Sequence, residues 1–308
     1  MTFDLTQNGF ITNYLVSGKK ETPYFSQVTG TDQLACEKTM RLEAVDSDPV
    51  MPQGTIGAGK ISTLGLPWEY YYNFGNWFVD QSAFYPLLKK IELYGATVLK
   101  APKDMEAEAW LWSYGAVDVW VNGIYCGGIE KPVYKPISRA ILRLKLNQGD
   151  NLIFIRLQNL GVRDTRTLFG IQIPGEERHL LRVTLPEPEA VRDSVLAGEW
   201  LSNIRLKGGK LIFPAEAPKG SLLIYDSRPI DFMDYKDRYT YQEIEGEAEA
   251  LLNPKSPWFK VAVTVNDQKL LRSFECQELL SPVWSQTSDG KENEKRIYER
   301  IASVLQIP

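Results

Sequence analysis

Chemistry in this chain has to come from carboxylates, amides and aromatic rings. The sequence offers one histidine, His179, and three widely spaced cysteines, Cys36, Cys126 and Cys276. One histidine excludes His-rich metal sites and leaves any nucleophilic triad a single choice of base. His179 lies in Gly175-Glu-Glu-Arg-His-Leu-Leu, a loop entering a strand, and reads as an ordinary exposed or half-buried histidine. The densest group of ligand-type side chains is Trp68-Glu-Tyr-Tyr-Tyr-Asn-Phe-Gly-Asn-Trp-Phe-Val-Asp80. Aromatic faces stack on sugar rings and on bases alike, and Asn73 and Asp80 are placed to orient such a ligand. Trp68, Tyr71, Asn73, Trp77 and Asp80 therefore form the candidate ligand-binding set. The same window also reads as a sheet core with aromatics on both faces, since aromatics dominate interiors.

Glycoside hydrolysis requires two carboxylates about 5–10 Å apart across a sugar. Glu69 with Asp80 is one candidate pair. Asp231, Asp234 and Asp237 in Asp231-Phe-Met-Asp-Tyr-Lys-Asp-Arg238 are the other, although that segment reads more simply as a solvated loop. No catalytic residue is assigned. Arg163-Asp-Thr-Arg166 is an unusual charged loop with two readings: an internal ion-pair network anchoring a second domain, or a clamp for an anionic ligand. No metal site and no cofactor are expected.

The net charge of −4 is mild for 308 residues, so composition gives no case for nucleic acid or an anionic membrane as partner. No run of 18 apolar residues is present, so no transmembrane helix is expected. Met1-Thr-Phe-Asp-Leu-Thr-Gln-Asn lacks the basic and apolar regions of a signal peptide. Cysteines that are odd in number and far apart argue against a disulfide framework. A cytoplasmic protein is the expectation.

The elements that must position these residues read almost entirely as strands. Gly9 to Gly18 is a strand candidate, 19–35 a polar loop, Thr39 to Val45 a further short strand and Asp46 to Gly59 loop. Lys90 to Leu99 and Met105 to Tyr114 alternate with the period of two of a strand, the latter placing Glu106, Glu108, Trp110 and Trp112 on one face. Val117, Val119 and Val121 alternate with Asp118, Trp120 and Asn122, and Asn122-Gly123 supplies a tight hairpin turn. Arg139 to Gln158, with Asn147-Gln-Gly-Asp-Asn151 at its centre, reads as a second hairpin. Pro186-Glu-Pro-Glu marks a linker, and short strands follow from Arg192 to Cys276 with turns at Gly208-Gly209 and Asn266-Asp267. Ile297, Tyr298, Ile301, Val304 and Leu305 form one apolar face of a helix. The expected class is all-β: a two-sheet jelly roll over 1–185, a smaller β-sandwich over 186–287 and an amphipathic helix over 288–308 that either packs back or begins a further domain. Truncation of a longer chain is the favoured reading of that end.

Tyr114-Gly-Ala-Val-Asp-Val-Trp-Val-Asn-Gly123, then Gly127-Gly128, Tyr134-Lys-Pro136-Ile137 and Leu146-Asn-Gln-Gly149-Asp-Asn151 through Asn159, resembles the galactose-binding-like jelly roll. That module accompanies the catalytic domain in beta-galactosidases, beta-glucuronidases and related glycoside hydrolases. The resemblance covers about 50 residues well and about 180 loosely, and it departs from the family at Tyr125-Cys126, where a histidine often precedes the Gly-Gly pair. It marks Asp118, Trp120, Asn122, Gly123, Tyr134 and Pro136 as structural motif residues. Asp118 is expected to hydrogen-bond loop backbone, and Pro136 to pin an edge connection. Structural calcium occurs in some such modules, but no acidic cluster here supports it. The resemblance implies an ancillary, non-catalytic region of a carbohydrate-active protein, with carbohydrate as ligand. A complete glycoside hydrolase with a cleft between two β domains and a non-enzymatic scaffold are the alternatives. Oligomeric state is not encoded in any recognisable pattern.

Overall fold

The computed structural model describes residues 1–46, 48–226, 239–252 and 258–275. Asp231, Asp234, Asp237, Cys276 and the helix expected over 288–308 lie outside the described residues. The chain divides into two compact units, Met1–Val195 and Leu196–Pro308.

The first unit contains β1 (Tyr14–Ser17), β2 (Lys20–Pro23), α1 (Gln33–Glu43), β3 (Trp68–Tyr71), β4 (Val79–Asp80), β5 (Ala83–Ala101) and β6 (Met105–Ser113). It continues through β7 (Ala116–Val121), β8 (Ile124–Ile129), β9 (Ser138–Leu146), β10 (Gly149–Thr165), β11 (Leu168–Gln172) and β12 (Arg182–Thr184). An eight-stranded antiparallel sheet has the order β3-β1-β5-β10-β7-β8, with β2 and β12 also pairing β5. A four-stranded sheet has the order β4-β11-β6-β9.

The two sheets share one core. Leu93, Leu99, Ile153, Ile155 and Leu157 come from the larger, and Ala109, Leu111, Leu144, Phe169 and Ile171 from the smaller. The larger sheet buries its other face as well. There Trp68, Tyr70, Tyr94, Trp120 and Phe154 pack under the loop residues Met51, Ile56 and Leu64 and under Leu185, Val191 and Val195. This accounts for the unbroken apolar run Leu152 to Ile155: a strand buried on both faces has no polar alternation to show.

Motif residues hold the strands in register. Asn122 (φ 50°) and Gly123 (φ 81°) close the β7–β8 hairpin in the left-handed region that this tight turn demands. The Asn122 side chain does more than turn the chain. Its Nδ2 donates to Asn151 Oδ1 (2.8 Å), and its Oδ1 accepts from Leu152 N (3.0 Å). Asn151 is fully buried and donates to the carbonyls of Leu99, Asn147 and Gly149. Asp118 pairs with the buried Arg156 directly across the β7–β10 ladder, accepting from Nη2 at 2.7 Å and Nε at 3.1 Å. The expectation that Asp118 binds loop backbone is thereby corrected. It is Arg156 Nη2 that reaches the loop, donating to Asp48 O at 2.8 Å.

Four local expectations are overturned. The segment from Arg139 to Gln158 is not a hairpin: β9 pairs with β6 along its length while β10 pairs with β5 and β7. The chain changes sheet at Asn147-Gln148, where Asn147 N bonds Asn151 Oδ1 and Gln148 N bonds Asp104 Oδ1, so the turn is satisfied without a ladder between the flanking strands. Thr39 to Glu43, expected as a strand, is the last part of α1, and residues 19–35 hold β2 and the start of that helix. Asp32 caps α1 by accepting from Leu34 N and Ala35 N. The segment from Arg192 to Gly198, expected as a strand, belongs to the helix α2 (Arg192–Ser202). The division between the units falls within α2.

The second unit places β13 (Arg205–Lys207), β14 (Lys210–Ile212), β15 (Leu222–Asp226), β16 (Tyr239–Glu243), β17 (Glu249–Leu251), β18 (Trp258–Val265) and β19 (Gln268–Glu275) after α2. They form sheets of order β13-β14-β17 and β16-β15-β18-β19 around Leu211, Leu223, Ile244, Phe259, Val261 and Val263. Gly208-Gly209 and Asn266-Asp267 close hairpins with positive φ at both turn positions, as their residue types predict. Arg272 Nη1 donates to the carbonyls of Leu201, Ser202 and Ile204, satisfying acceptors that the end of α2 would leave open.

Candidate functional site

Four of the five candidate ligand-binding residues come together at the loop between β3 and β4. Asn73 builds that loop. Its Oδ1 accepts from Gly75 N (3.1 Å), and its Nδ2 donates to Asn76 O (2.7 Å) and Thr12 O (3.2 Å). These bonds hold Phe74 (φ 49°) and Gly75 (φ 82°) in the left-handed region. Tyr71 fixes the far end: its hydroxyl donates to Asp80 O (3.1 Å) and accepts from Asp80 N (2.9 Å). Burial raises the Tyr71 hydroxyl above the usual tyrosine range, so it stays protonated in this role. Asp80 Oδ1 in turn accepts from Ser82 N at 2.8 Å.

Trp77 stands between these anchors. One ring face stacks on Phe10, with centroids 5.0 Å apart and planes 12° apart, while the residue remains 46% exposed. Phe78 meets the edge of Phe10 at 5.6 Å and lies over Gly170. A Cβ at Gly170 would stand 2.6 Å from Phe78 Cδ1, so only glycine lets this ring close down on β11. Gly75, Asn76, Trp77, Phe78 and Asp80 line an open cleft of about 270 Å³. The arrangement presents a rigid, half-exposed indole beside a carboxylate and an amide. A flat C–H face stacks on such a ring while hydroxyls bond the polar rim.

Trp68 does not join the cleft. It is 2% exposed, donates from Nε1 to Thr55 O (3.1 Å) and packs on Tyr94 and Phe154. The reason is strand geometry: Trp68 and Tyr70 share one face of β3 and Tyr71 points to the other, into the core between the sheets. Glu69 has its carboxyl pushed up by desolvation, but among the described residues no hydrogen bond or ion pair joins it to Asp80.

Sequence reasoning missed Phe10, Phe78 and Gly170, which set the pose of Trp77. The first bridges to Gln172 across the start of the chain, a contact no local pattern encodes. A second aromatic group lies on the outer face of the smaller sheet, where the alternation in β6 places Trp110 and Trp112 together. Their rings are 6.2 Å apart, and the Arg139 guanidinium carbon lies 4.4 Å and 5.4 Å from the two ring centres. Trp112 pairs in register with Gly170, which puts this group on the sheet that Phe78 caps.

Arg163, Asp164 and Thr165 of the charged loop are the end of β10, paired with β5 at Ala83 to Tyr85, and Arg166 follows the strand. The ion-pair network expected there is not formed: among the described residues Arg163, Asp164 and Arg166 make no salt bridge. Cys36 and Cys126 are free thiols. Among the described residues no group of three or more His, Cys, Asp or Glu side chains could hold a metal ion, and no helix is long and apolar enough to cross a membrane.

No family model matches the sequence, and no curated protein matches it. Among solved structures, the chain is similar to a family 35 carbohydrate binding module from an environmental isolate, at 15% identity and TM-score 0.23, over 36% of this chain and 79% of that one. It is also similar to a beta-glucosidase from Kluyveromyces marxianus in complex with glucose (12% identity, TM-score 0.22, 38% of this chain and 15% of that one). The third is a beta-glucuronidase from Ruminococcus gnavus (7% identity, TM-score 0.20, 60% of this chain and 35% of that one). The chain spans well under half the length of either glycosidase. At these TM-scores the overlays are partial, and the assignment of an all-β sandwich rests on the strands themselves.

Proposed function

We propose that the Met1–Val195 unit is a galactose-binding-like jelly roll that serves a carbohydrate-active protein as an ancillary, non-catalytic module and takes sugar at the Trp77 cleft. The observation that carries this reading is the pose of Trp77, stacked on Phe10 on one side, half exposed, and flanked by Asp80 and Asn76. Burying one face of an indole holds the ring still, so a sugar that stacks on the other face orders little new structure. The motif resemblance around Asp118 to Asn159 supports the same reading. A cytoplasmic setting fits the free thiols of Cys36 and Cys126.

Affinity electrophoresis of the full chain through gels containing galactan, beta-glucan or xylan tests the reading. At least one polysaccharide should retard the wild type, and Trp77→Ala should migrate as if no polysaccharide were present. Equal retardation of both proteins, or none in any gel, contradicts the site. Release of reducing sugar from the retarding polysaccharide contradicts the non-catalytic part alone.

A further inference from the structure

A second cleft of the first unit, about 450 Å³, lies away from Trp77 and is built from different material. Lys38 and Arg41 of α1, Tyr134 and Lys135 of the β8–β9 connection, and Arg163 near the end of β10 meet there with a single acid, Glu37. Leu34, Val133 and Val162 supply an apolar lining. Glu37 is already spent, because its Oε1 accepts from Arg41 Nη2 (2.7 Å) and Nε (3.0 Å). Among the described residues Lys38, Lys135 and Arg163 form no salt bridge. Three uncompensated cations thus converge on a protein whose net charge is −4.

The backbone is shaped to keep them there. The β5–β10 ladder shifts register between Gly161 and Arg163, and Arg163 sits at φ 50°. A bulge of this kind re-aims a side chain, and a non-glycine residue in the left-handed region persists only where its surroundings hold it. Here the buried Thr165 does so: its hydroxyl accepts from Val162 N (2.7 Å) and lies 2.8 Å from Val162 O, to which it donates. Opposite, Arg41 is almost fully buried and lies 5.8 Å from the centre of the half-exposed Tyr134 ring, with Lys135 Nζ at 5.3 Å from the same ring.

We infer that this cleft binds a small ligand carrying a carboxylate on a six-membered ring, with the carboxylate among Arg163, Lys135 and Lys38 and the ring against Tyr134 and the apolar lining. A guanidinium presents a planar fork that matches a carboxylate, and the aromatic wall matches a ring. The shared chemistry fits an acidic sugar and an aromatic acid. The inference is independent of the Trp77 reading, since no residue lines both clefts.

Saturation-transfer NMR on the full chain tests it with D-galacturonate, D-galactose, benzoate and benzyl alcohol. Transfer to galacturonate alone identifies an acidic sugar, to benzoate alone an aromatic acid, and to both a carboxylate read without ring selectivity. In Trp77→Ala, where the proposed neutral-sugar cleft is disabled, the neutral counterpart should show none at the same concentration. Arg163→Gly removes the guanidinium while suiting the positive φ, so it should fold with unchanged Tm and weaken the acid about tenfold. Trp77→Ala should leave this binding intact. Raising salt from about 0.1 M to 1 M, which shortens the screening length from about 10 Å to 3 Å, should weaken it further. The inference is overturned if neither acid binds, if the neutral counterparts bind the Trp77→Ala protein as well as the acids do, if Arg163→Gly leaves affinity unchanged or if Trp77→Ala abolishes acid binding.

Discussion

Trp68 and Trp77 belong to one aromatic run of the sequence and end in opposite surroundings. Trp68 is locked by its indole N–H to Thr55 O and wedged against Tyr94 and Phe154, while Trp77 rests on Phe10 and faces the cleft beside Asp80. The difference comes from the backbone between them. β3 ends at Tyr71, and the Asn73 turn then lifts the chain off the sheet. On β3, Trp68 and Tyr70 point into a buried layer while Glu69 on the opposite face stays exposed, whereas a residue after the turn is presented at the rim. Aromatic density alone therefore says little about binding; the element that carries each ring decides.

Two substitutions sharpen the contrast. Trp68→Ala should destabilise the first unit by about 3–5 kcal/mol, because it opens a cavity in the packed layer and strands the Thr55 carbonyl. Trp77→Ala should leave the midpoint of chemical denaturation nearly unchanged. Denaturant titrations followed by circular dichroism compare the two, and equal losses would break the distinction. Phe10→Leu is a subtler probe. It keeps most of the buried volume but removes the flat support under Trp77, so stability should fall by less than about 1.5 kcal/mol. Sugar affinity, read by calorimetry, should fall about threefold to tenfold, the value of one aromatic stacking contact. An affinity unchanged by Phe10→Leu would mean that the indole needs no backing.

The sequence revealed those features whose cause is local. Asn122-Gly123, Gly208-Gly209 and Asn266-Asp267 were legible as hairpin turns because positive φ at two adjacent positions restricts the residue types that fit. The β6 alternation already showed that Trp110 and Trp112 share a face. What stayed hidden depends on partners distant in the chain. The sheet change between β9 and β10 rests on Asn151, which reads as a turn residue and acts as a buried junction for Asn122, Asn147 and Leu99. α1 was hidden because its apolar content is low, and the contacts that fix it to the sheet run from the Arg41 guanidinium to Asn159 Oδ1 and Leu160 O, far along the chain. The charged loop at Arg163 gave away its cations, but the bulge that aims them depends on the β5 register. At the Trp77 site, Asn73 and Asp80 were legible as nearby polar groups and Tyr71 as a candidate stacking ring, whereas their role as supports for the indole was not.

The most direct test of the Trp77 site is to follow the indole N–H signals of the eight tryptophans by NMR while titrating the polysaccharide-derived oligosaccharide that binds. Trp77→Phe and Trp68→Phe assign the two relevant signals. The Trp77 signal should move progressively and saturate while the Trp68 signal stays in place. A Trp77 signal that does not move as sugar binds, or a Trp68 signal that moves in its stead, would contradict the account.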